Sequence, residues 1–345
     1  MRFNVLDIMR FSAALIVVLY HYTSGESSEP FVHISWLTQF GYLGVPLFFM
    51  ISGFVISASA LNRTPAEFAI SRGTRLYPTV FACLTITTLV IQTLGEGGIS
   101  FIQYLTNLTI LNLYVGQEFI DGVYWTLLAE LKFYVCVLLL LAVGVFDKFK
   151  IWLTVWMLMT VSFLIFKQPS FMGIFISPEY SAFFIAGIAF YIVTKEGYDS
   201  YYVGLLYAAF VVGSANIYEQ ASGFMRNTDQ LEQVVSVIIV GFFFGLFFLI
   251  SKDKIQIKTS KALMLLGGMT YPLYLLHSMI GKVLFEQFDS VLHPYISLLL
   301  ITSLMLFMSY FIHVIVEKRW ANAIKNYLFE MLSNYRSRSG KVTEP

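Results

Sequence analysis

The sequence predicts an all-α polytopic membrane protein of about ten transmembrane helices with both termini cytoplasmic, and three observations predict it. Only 12% of the 345 residues are charged and 57% are hydrophobic, whereas soluble domains carry about 25% charged residues. Apolar runs long enough to cross a bilayer recur at 6–23, 40–60, 76–94, 124–146, 150–167, 176–194, 201–217, 233–251, 262–285 and 296–316. With the N-terminus inside, every Lys and Arg except Lys132, Lys167, Arg226 and Lys282 falls at the inner surface. So strong a bias calls for an even number of spans.

Composition also bounds function. A net charge of +1 gives no reason to expect nucleic acid. Cys83 and Cys136 lie in apolar runs without metal-ligand or disulfide spacing, so they read as packing residues and no metal is expected. Asp7 and Arg10 interrupt the first apolar run, and no small-residue cleavage site follows His21. That run therefore reads as a retained helix, not a signal peptide. The chain divides into a transmembrane domain, 1–320, and a basic cytoplasmic tail, 321–345, whose start, WANAIKNYLFEML, is amphipathic.

The first run, LDIMRFSAALIVVLYHY, carries Asp7, Arg10 and His21. Ionisable groups at membrane depth cost on the order of 2.5–3.5 kcal/mol each and are paired or functional. Arg10 and His21 are eleven residues apart, about three helical turns, so they share a face roughly 16 Å apart. Asp7 sits one turn before Arg10 on that face. An anchoring pair at one membrane surface with a histidine at the other would account for the same residues.

In the second run, GVPLFFMISGFVIS, Ser52 and Gly53 stand among large apolar residues, a pattern that also suits simple helix packing. Arg72 and Arg75 follow in SRGTRLYP, one turn apart before Pro78. Two guanidinium groups at this spacing can converge on one anion, and their planar donor forks suit phosphate; positive-inside anchoring is the plainer alternative. The connection 95–123 contains Gln103, Asn107 and Asn112 and reads as an interfacial or re-entrant helix.

The next span opens YWTLLAELKFY. Trp125 suits an interface, Glu130 and Tyr134 share a face, and Lys132 points some 200° away from Glu130. The ninth run, GGMTYPLYLLH, steps Tyr271, Tyr274 and His277 along one face, with Pro272 permitting a kink. His33, His293 and His313 read as packing residues. Near the last span, Glu317 can pair with Lys318, Arg319 or an arginine of the second inner loop. On this topology His21, Glu130 and His277 fall in the outer half, and Arg10, Arg72 and Arg75 at the inner surface. No phosphate-binding loop or Gly-x-Ser-x-Gly elbow is present. The pattern suits a ligand with anionic groups held inside and a reactive end reaching outward, a shape that acyl-coenzyme A has.

Taken in order, LDIMRFSA with its histidine, LFFMISGFVI, RGTRLYP, WTLLAELKFY, TYPLYLLH and the terminal IVE resemble the acyltransferase-3 family of integral-membrane O-acyltransferases. The resemblance spans Asp7 to about Glu317. One departure is Phe11, where the family's first motif usually has Gly. The resemblance implies a ten-helix, multi-pass enzyme of the cytoplasmic (inner) membrane. It would move an acyl group, usually acetyl, from cytoplasmic acyl-CoA (acetyl-CoA) to a hydroxyl of a cell-envelope or exported glycan. His21 would be the catalytic histidine, a general base or transient acyl carrier, and Glu130 would orient it or stabilise its charged form. Arg10, Arg72 and Arg75 would bind the donor's phosphates, with Asp7 holding Arg10. Ser52, Trp125, Tyr271 and His277 would support the cavity. The rival from another class is a transporter or flippase using His21 and Glu130 as a proton relay.

Overall fold

The computed structural model describes residues 4–24, 29–95, 97–168, 171–225, 229–255, 257–258, 260–288 and 291–338. Arg2, Arg226, Lys341 and the end of the tail, which entered the charge and tail readings, lie outside the described residues.

The described residues form helices α1 (Asn4–Thr23), α2 (Val32–Thr38), α3 (Gly44–Ala60), α4 (Pro65–Leu94), α5 (Phe101–Leu108), α6 (Trp125–Val143) and α7 (Phe149–Phe166). They continue as α8 (Met172–Phe175), α9 (Pro178–Glu196), α10 (Ser200–Phe224), α11 (Gln230–Ser251), α12 (Lys261–Phe288), α13 (Pro294–Ile312) and α14 (Asn322–Arg338). Among the described residues, nine helices are long and apolar enough to cross a membrane, and the chain is an all-α, multi-pass integral membrane protein. The expected span at 176–194 is α9, which is not one of the nine. Its physical position explains its composition. Residues from Tyr180 to Val193 are buried without a break, so it presents little surface that lipid must wet and tolerates Ser181, Gly187 and several alanines.

Close packing of α9 on α3 follows from two glycines. A Cβ on Gly53 would lie 2.2 Å from the Phe184 carbonyl oxygen, and one on Gly187 would lie 2.0 Å from that of Met50. Small residues are the means by which membrane helices approach, because lipid supplies no hydrophobic force between them. The start of α4 is set by local chemistry. Thr64 and Glu67 form a reciprocal capping box with Pro65 at the first helical position, and Arg336 of α14 donates to both Glu67 and Thr64 at 2.8 and 2.7 Å. The connection after α4 holds the short α5, whose Phe101, Ile102 and Leu105 are exposed apolar residues, in keeping with an interfacial position. The last span runs from α13 through a wide-turn segment, His313–Ala321, into α14.

The apolar interior comprises two cores. One joins α3, α6, α7, α9, α10 and α11 around Phe54, Phe183 and Phe184. The other joins α4, α6, α12 and α13 around Leu84, Leu276 and Met305. α1, α4 and α6 serve both, α4 through Phe68 in the first and Leu84 in the second. On α1, Leu6 and Met9 pack into the first core while Val17, Val18 and Tyr22 pack into the second. On α6, Phe133 and Val137 go to the first, and Leu127 and Leu128 to the second. The seam between the cores is therefore lined by the three helices whose polar residues are hardest to explain by packing.

Candidate active site

Two chambers open along this seam. The first, about 110 Å³, is lined by Arg10 of α1, Ser52 of α3, Arg72 and Arg75 of α4, Glu130 and Tyr134 of α6, and Tyr271 of α12. Five distant stretches of sequence thus converge on one cavity. Helical spacing aims them: Arg72 and Arg75 are one turn apart on α4, as are Glu130 and Tyr134 on α6. The Glu130 carboxylate accepts from the Ser52 hydroxyl at 3.1 Å and from the Tyr134 hydroxyl at 2.5 Å. The Arg10 guanidinium lies 3.9 Å from the Asp7 carboxylate. Asp7 in turn packs on Gly267, where a Cβ would come within 2.7 Å of it. The Arg72 guanidinium sits 6.0 Å from the ring centroids of both Phe68 and Tyr134, within range of cation–π attraction.

The chamber is electrostatically crowded. Arg10 feels Arg75, Asp7 and Glu130; Arg72 feels Arg75 and Arg63 as well as Glu130; Arg75 feels Glu317 and Glu130. Three guanidinium groups share one wall set, and Arg75 keeps exposed surface. The Arg72 Nε and the Tyr271 hydroxyl are buried atoms with no hydrogen-bond partner among the described residues. Buried polar groups without partners are uncommon enough to call for a cause, and a polar or anionic ligand in this chamber would supply one.

The second chamber, about 140 Å³, is lined by His21 and Tyr20 of α1, Tyr42, Trp125, Tyr180 of α9, Tyr274 of α12 and Ser278. No Asp, Glu, Lys or Arg is among its described lining residues. His21 is exposed onto it, with the rings of Tyr20 and His277 each 5.1 Å away. Trp125 and Tyr180 hold their rings 4.9 Å apart and present an aromatic wall. Val45 and Tyr274 line both chambers, so these two side chains form the partition. The Tyr274 hydroxyl accepts from Thr126 at 3.1 Å.

The predicted site residues thus separate into two groups. Asp7, Arg10, Ser52, Arg72, Arg75, Glu130 and Tyr271 gather at the arginine chamber; His21, Trp125 and His277 gather at the histidine chamber. Glu130, expected beside His21, is bonded instead to Ser52 and Tyr134, which turn its carboxylate toward the arginines. Lys132 donates to the Gly173 carbonyl at 2.9 Å, pointing away from Glu130 as helical geometry requires. Glu317 finds His313, at 2.5 Å, and the Thr79 hydroxyl. His313 is buried within the wide-turn segment, and its spacing of four from Glu317 was the legible signal for this pair. Asp121, wholly buried beside α12, was not singled out by sequence at all. Among the described residues no group of His, Cys, Asp and Glu could hold a metal ion.

A family profile for an acyltransferase domain, acyltransferase-3, matches residues 3–318. The chain belongs to the acyltransferase-3 family. It is also 26% identical over 163 residues to Nodulation protein 10 of Rhizobium leguminosarum bv. viciae, a match covering 41% of this chain and 44% of that protein. The chain thus spans less than half the length of the curated relative it matches. No solved structure matches. Every motif that carried the resemblance lies within the matched range, from Asp7 to Glu317.

Proposed function

We propose that this acyltransferase moves an acyl group, acetyl in the usual case, from acyl-CoA to a hydroxyl of an extracytoplasmic or exported glycan. The observation that carries this reading is the pair of adjoining chambers. One holds three arginines with an unpartnered Nε, and the other holds an accessible imidazole walled by aromatic rings. The charge bias of the connections supports an arginine chamber that faces the cytoplasm, where the donor is made, so the protein would reside in the cytoplasmic membrane.

In this reading Arg10, Arg72 and Arg75 bind the donor's phosphates, since planar, charged donor forks suit them. Glu130, held by Ser52 and Tyr134, balances the arginines and keeps them in place when no donor is bound. The thin pantetheine arm passes Val45 and Tyr274, and the thioester reaches His21. His21 takes the proton of the acceptor hydroxyl as its oxygen attacks the thioester carbonyl. The C–S bond then breaks, and the departing thiolate recovers that proton from His21. A base so placed contributes about 10²–10⁴-fold. The flat faces of Trp125 and Tyr180 suit the C–H faces of a sugar ring, and the hydroxyls of Tyr20, Tyr42 and Ser278 suit its hydroxyls.

The test is mass spectrometry of envelope glycans from cells with the wild-type chain and with His21→Ala, at equal protein in the membrane. The expected result is an acyl mass increment on a glycan that depends on His21. Equal increments in both would remove His21 from the chemistry. Transport of an unmodified solute by the purified protein, without thioester turnover, would favour a transporter. An acyl group trapped on His21 would identify it as an acyl carrier.

A further inference from the structure

His277 is held more elaborately than a packing residue needs. It is fully buried, and its Nδ1 lies 2.7 Å from the Tyr274 carbonyl oxygen. A carbonyl only accepts, so Nδ1 carries the hydrogen and Nε2 of the neutral ring carries the lone pair. That Nε2 has no partner among the described residues, while the His21 ring stands 5.1 Å away.

The backbone around His277 is fastened from two sides. On one side the Tyr22 hydroxyl donates to the His277 carbonyl at 2.8 Å. Gly281 makes room for that ring: a Cβ there would lie 2.3 Å from it. On the other side is the stretch before α6. The Asp121 carboxylate accepts the Met279 N–H at 2.9 Å and the Val123 N–H at 3.2 Å, and it also bonds the Ser278 hydroxyl. The Tyr124 hydroxyl donates to the Leu275 carbonyl at 3.2 Å. Leu275 and Met279 are the acceptor and donor of one ordinary helical bond, so Asp121 and Tyr124 grip both ends of the turn that carries His277. A buried carboxylate in a membrane protein is costly, and stability alone would be served by an apolar residue here.

We infer that Asp121 is a positioning residue of the transfer site: with Tyr124 it fixes the turn of α12 that keeps the unpartnered Nε2 of His277 beside the His21 ring, so that it accepts that ring's N–H during transfer. The other nitrogen of His21 is thereby left as the base that faces the acceptor. This inference rests on the acyl-transfer reading of His21 and gives that histidine its orienting partner, the part that Glu130 does not play. No proton leaves His21 toward His277; the bond orients the ring and stabilises its charged form while it holds the acceptor's proton, following the logic of a base steadied by a third group.

The experiment uses the full-length chain in membranes with labelled acetyl-CoA as donor, read as kcat and KM, beside a label independent of turnover. A lost turn beside the chemistry can cost about 10²-fold, so Asp121→Ala lowers kcat by about that factor with the donor KM within about twofold. Asp121→Asn, which keeps an acceptor for one of the two N–H groups, loses about tenfold, and Tyr124→Phe, which removes one neutral hydrogen bond, about fivefold. Diethyl pyrocarbonate followed by peptide mass spectrometry modifies His21 but not His277 in the wild type, and both in Asp121→Ala. If Asp121→Ala fails to accumulate, Asp121→Asn and Tyr124→Phe carry the test. An unchanged kcat in both milder variants, with His21→Ala inactive, overturns the positioning role and leaves the function standing. Activity in His21→Ala overturns the function instead, whatever the labelling of His277 shows.

Discussion

The two chambers differ in how they are built, and the difference matches what each would have to recognise. The arginine chamber is assembled from charges that hold one another: Arg10 with Asp7, and Glu130 with Ser52 and Tyr134 among three guanidinium groups. The histidine chamber is assembled from rings and hydroxyls around one exposed imidazole and has no formal charge among its described lining residues. A charged group in a low-dielectric site binds an oppositely charged ligand strongly but must be balanced when that ligand is absent. That is why carboxylates accompany the arginines and none accompanies His21. An uncharged, aromatic chamber suits a neutral, hydroxyl-rich ligand. On the proposed function, the difference teaches that donor and acceptor specificity would reside in different residues and could be altered separately.

The largest effect that would break this division is at His21. His21→Ala is expected to lower acyl transfer by about 10²–10⁴-fold, the usual contribution of a positioned base, with the donor KM little changed. Steady-state kinetics with labelled acetyl-CoA checks it. Next, Arg72→Ala and Arg75→Ala are each expected to raise the donor KM by roughly 10- to 100-fold. This corresponds to the loss of a charge-assisted hydrogen bond of about 1.5–3 kcal/mol. A kcat loss with unchanged KM would instead assign these arginines to anchoring or to chemistry. Arg72→Lys is expected to recover little, because a point charge cannot reproduce the planar fork.

Smaller effects sharpen the comparison. Gly187→Ala forces a methyl group into the Met50 carbonyl and is expected to cost about 1–3 kcal/mol of stability. A lower melting temperature in detergent, with unchanged KM in the surviving protein, checks it. Smallest is Tyr274→Phe at the partition, which removes one acceptor for the Thr126 hydroxyl and is expected to cost about 0.5–1.5 kcal/mol. Both donor and acceptor KM should move slightly, since among the described lining residues Tyr274 and Val45 are the two that belong to both chambers. A change confined to one substrate would mean that the chambers are separate cavities and do not form one path.

Much of the architecture was legible in the chain because bilayer thickness and charge asymmetry constrain sequence directly. The run 6–23 became Asn4–Thr23, and 233–251 became Gln230–Ser251. Helix periodicity paired Glu130 with Tyr134 and set Lys132 apart. The periodic pattern could not say which helix meets which. Glu130 looked close to His21 because both lie toward the same membrane face on a depth count, yet depth says nothing of azimuth. Ser52 and Tyr134 turn the carboxylate to the arginines. His313 and Asp121 were passed over for a related reason: each gains significance only from a partner, Gly268 and Glu317 for the first, the α12 backbone for the second.

By itself, then, the sequence determined that the chain is a helical membrane protein of the acyltransferase-3 family, and which ionisable residues it carries at membrane depth. Those properties are written in local composition, in spacing along single helices and in six short motifs read in order. The tertiary structure alone decided that these residues divide between two chambers meeting at Val45 and Tyr274, and that His277 stands beside His21 where Glu130 does not. The physical reason is that membrane helices choose partners through close packing at small residues, such as Gly53 against α9 and Gly187 against α3. A one-residue rotation of either helix would keep its hydrophobicity and bring different side chains together.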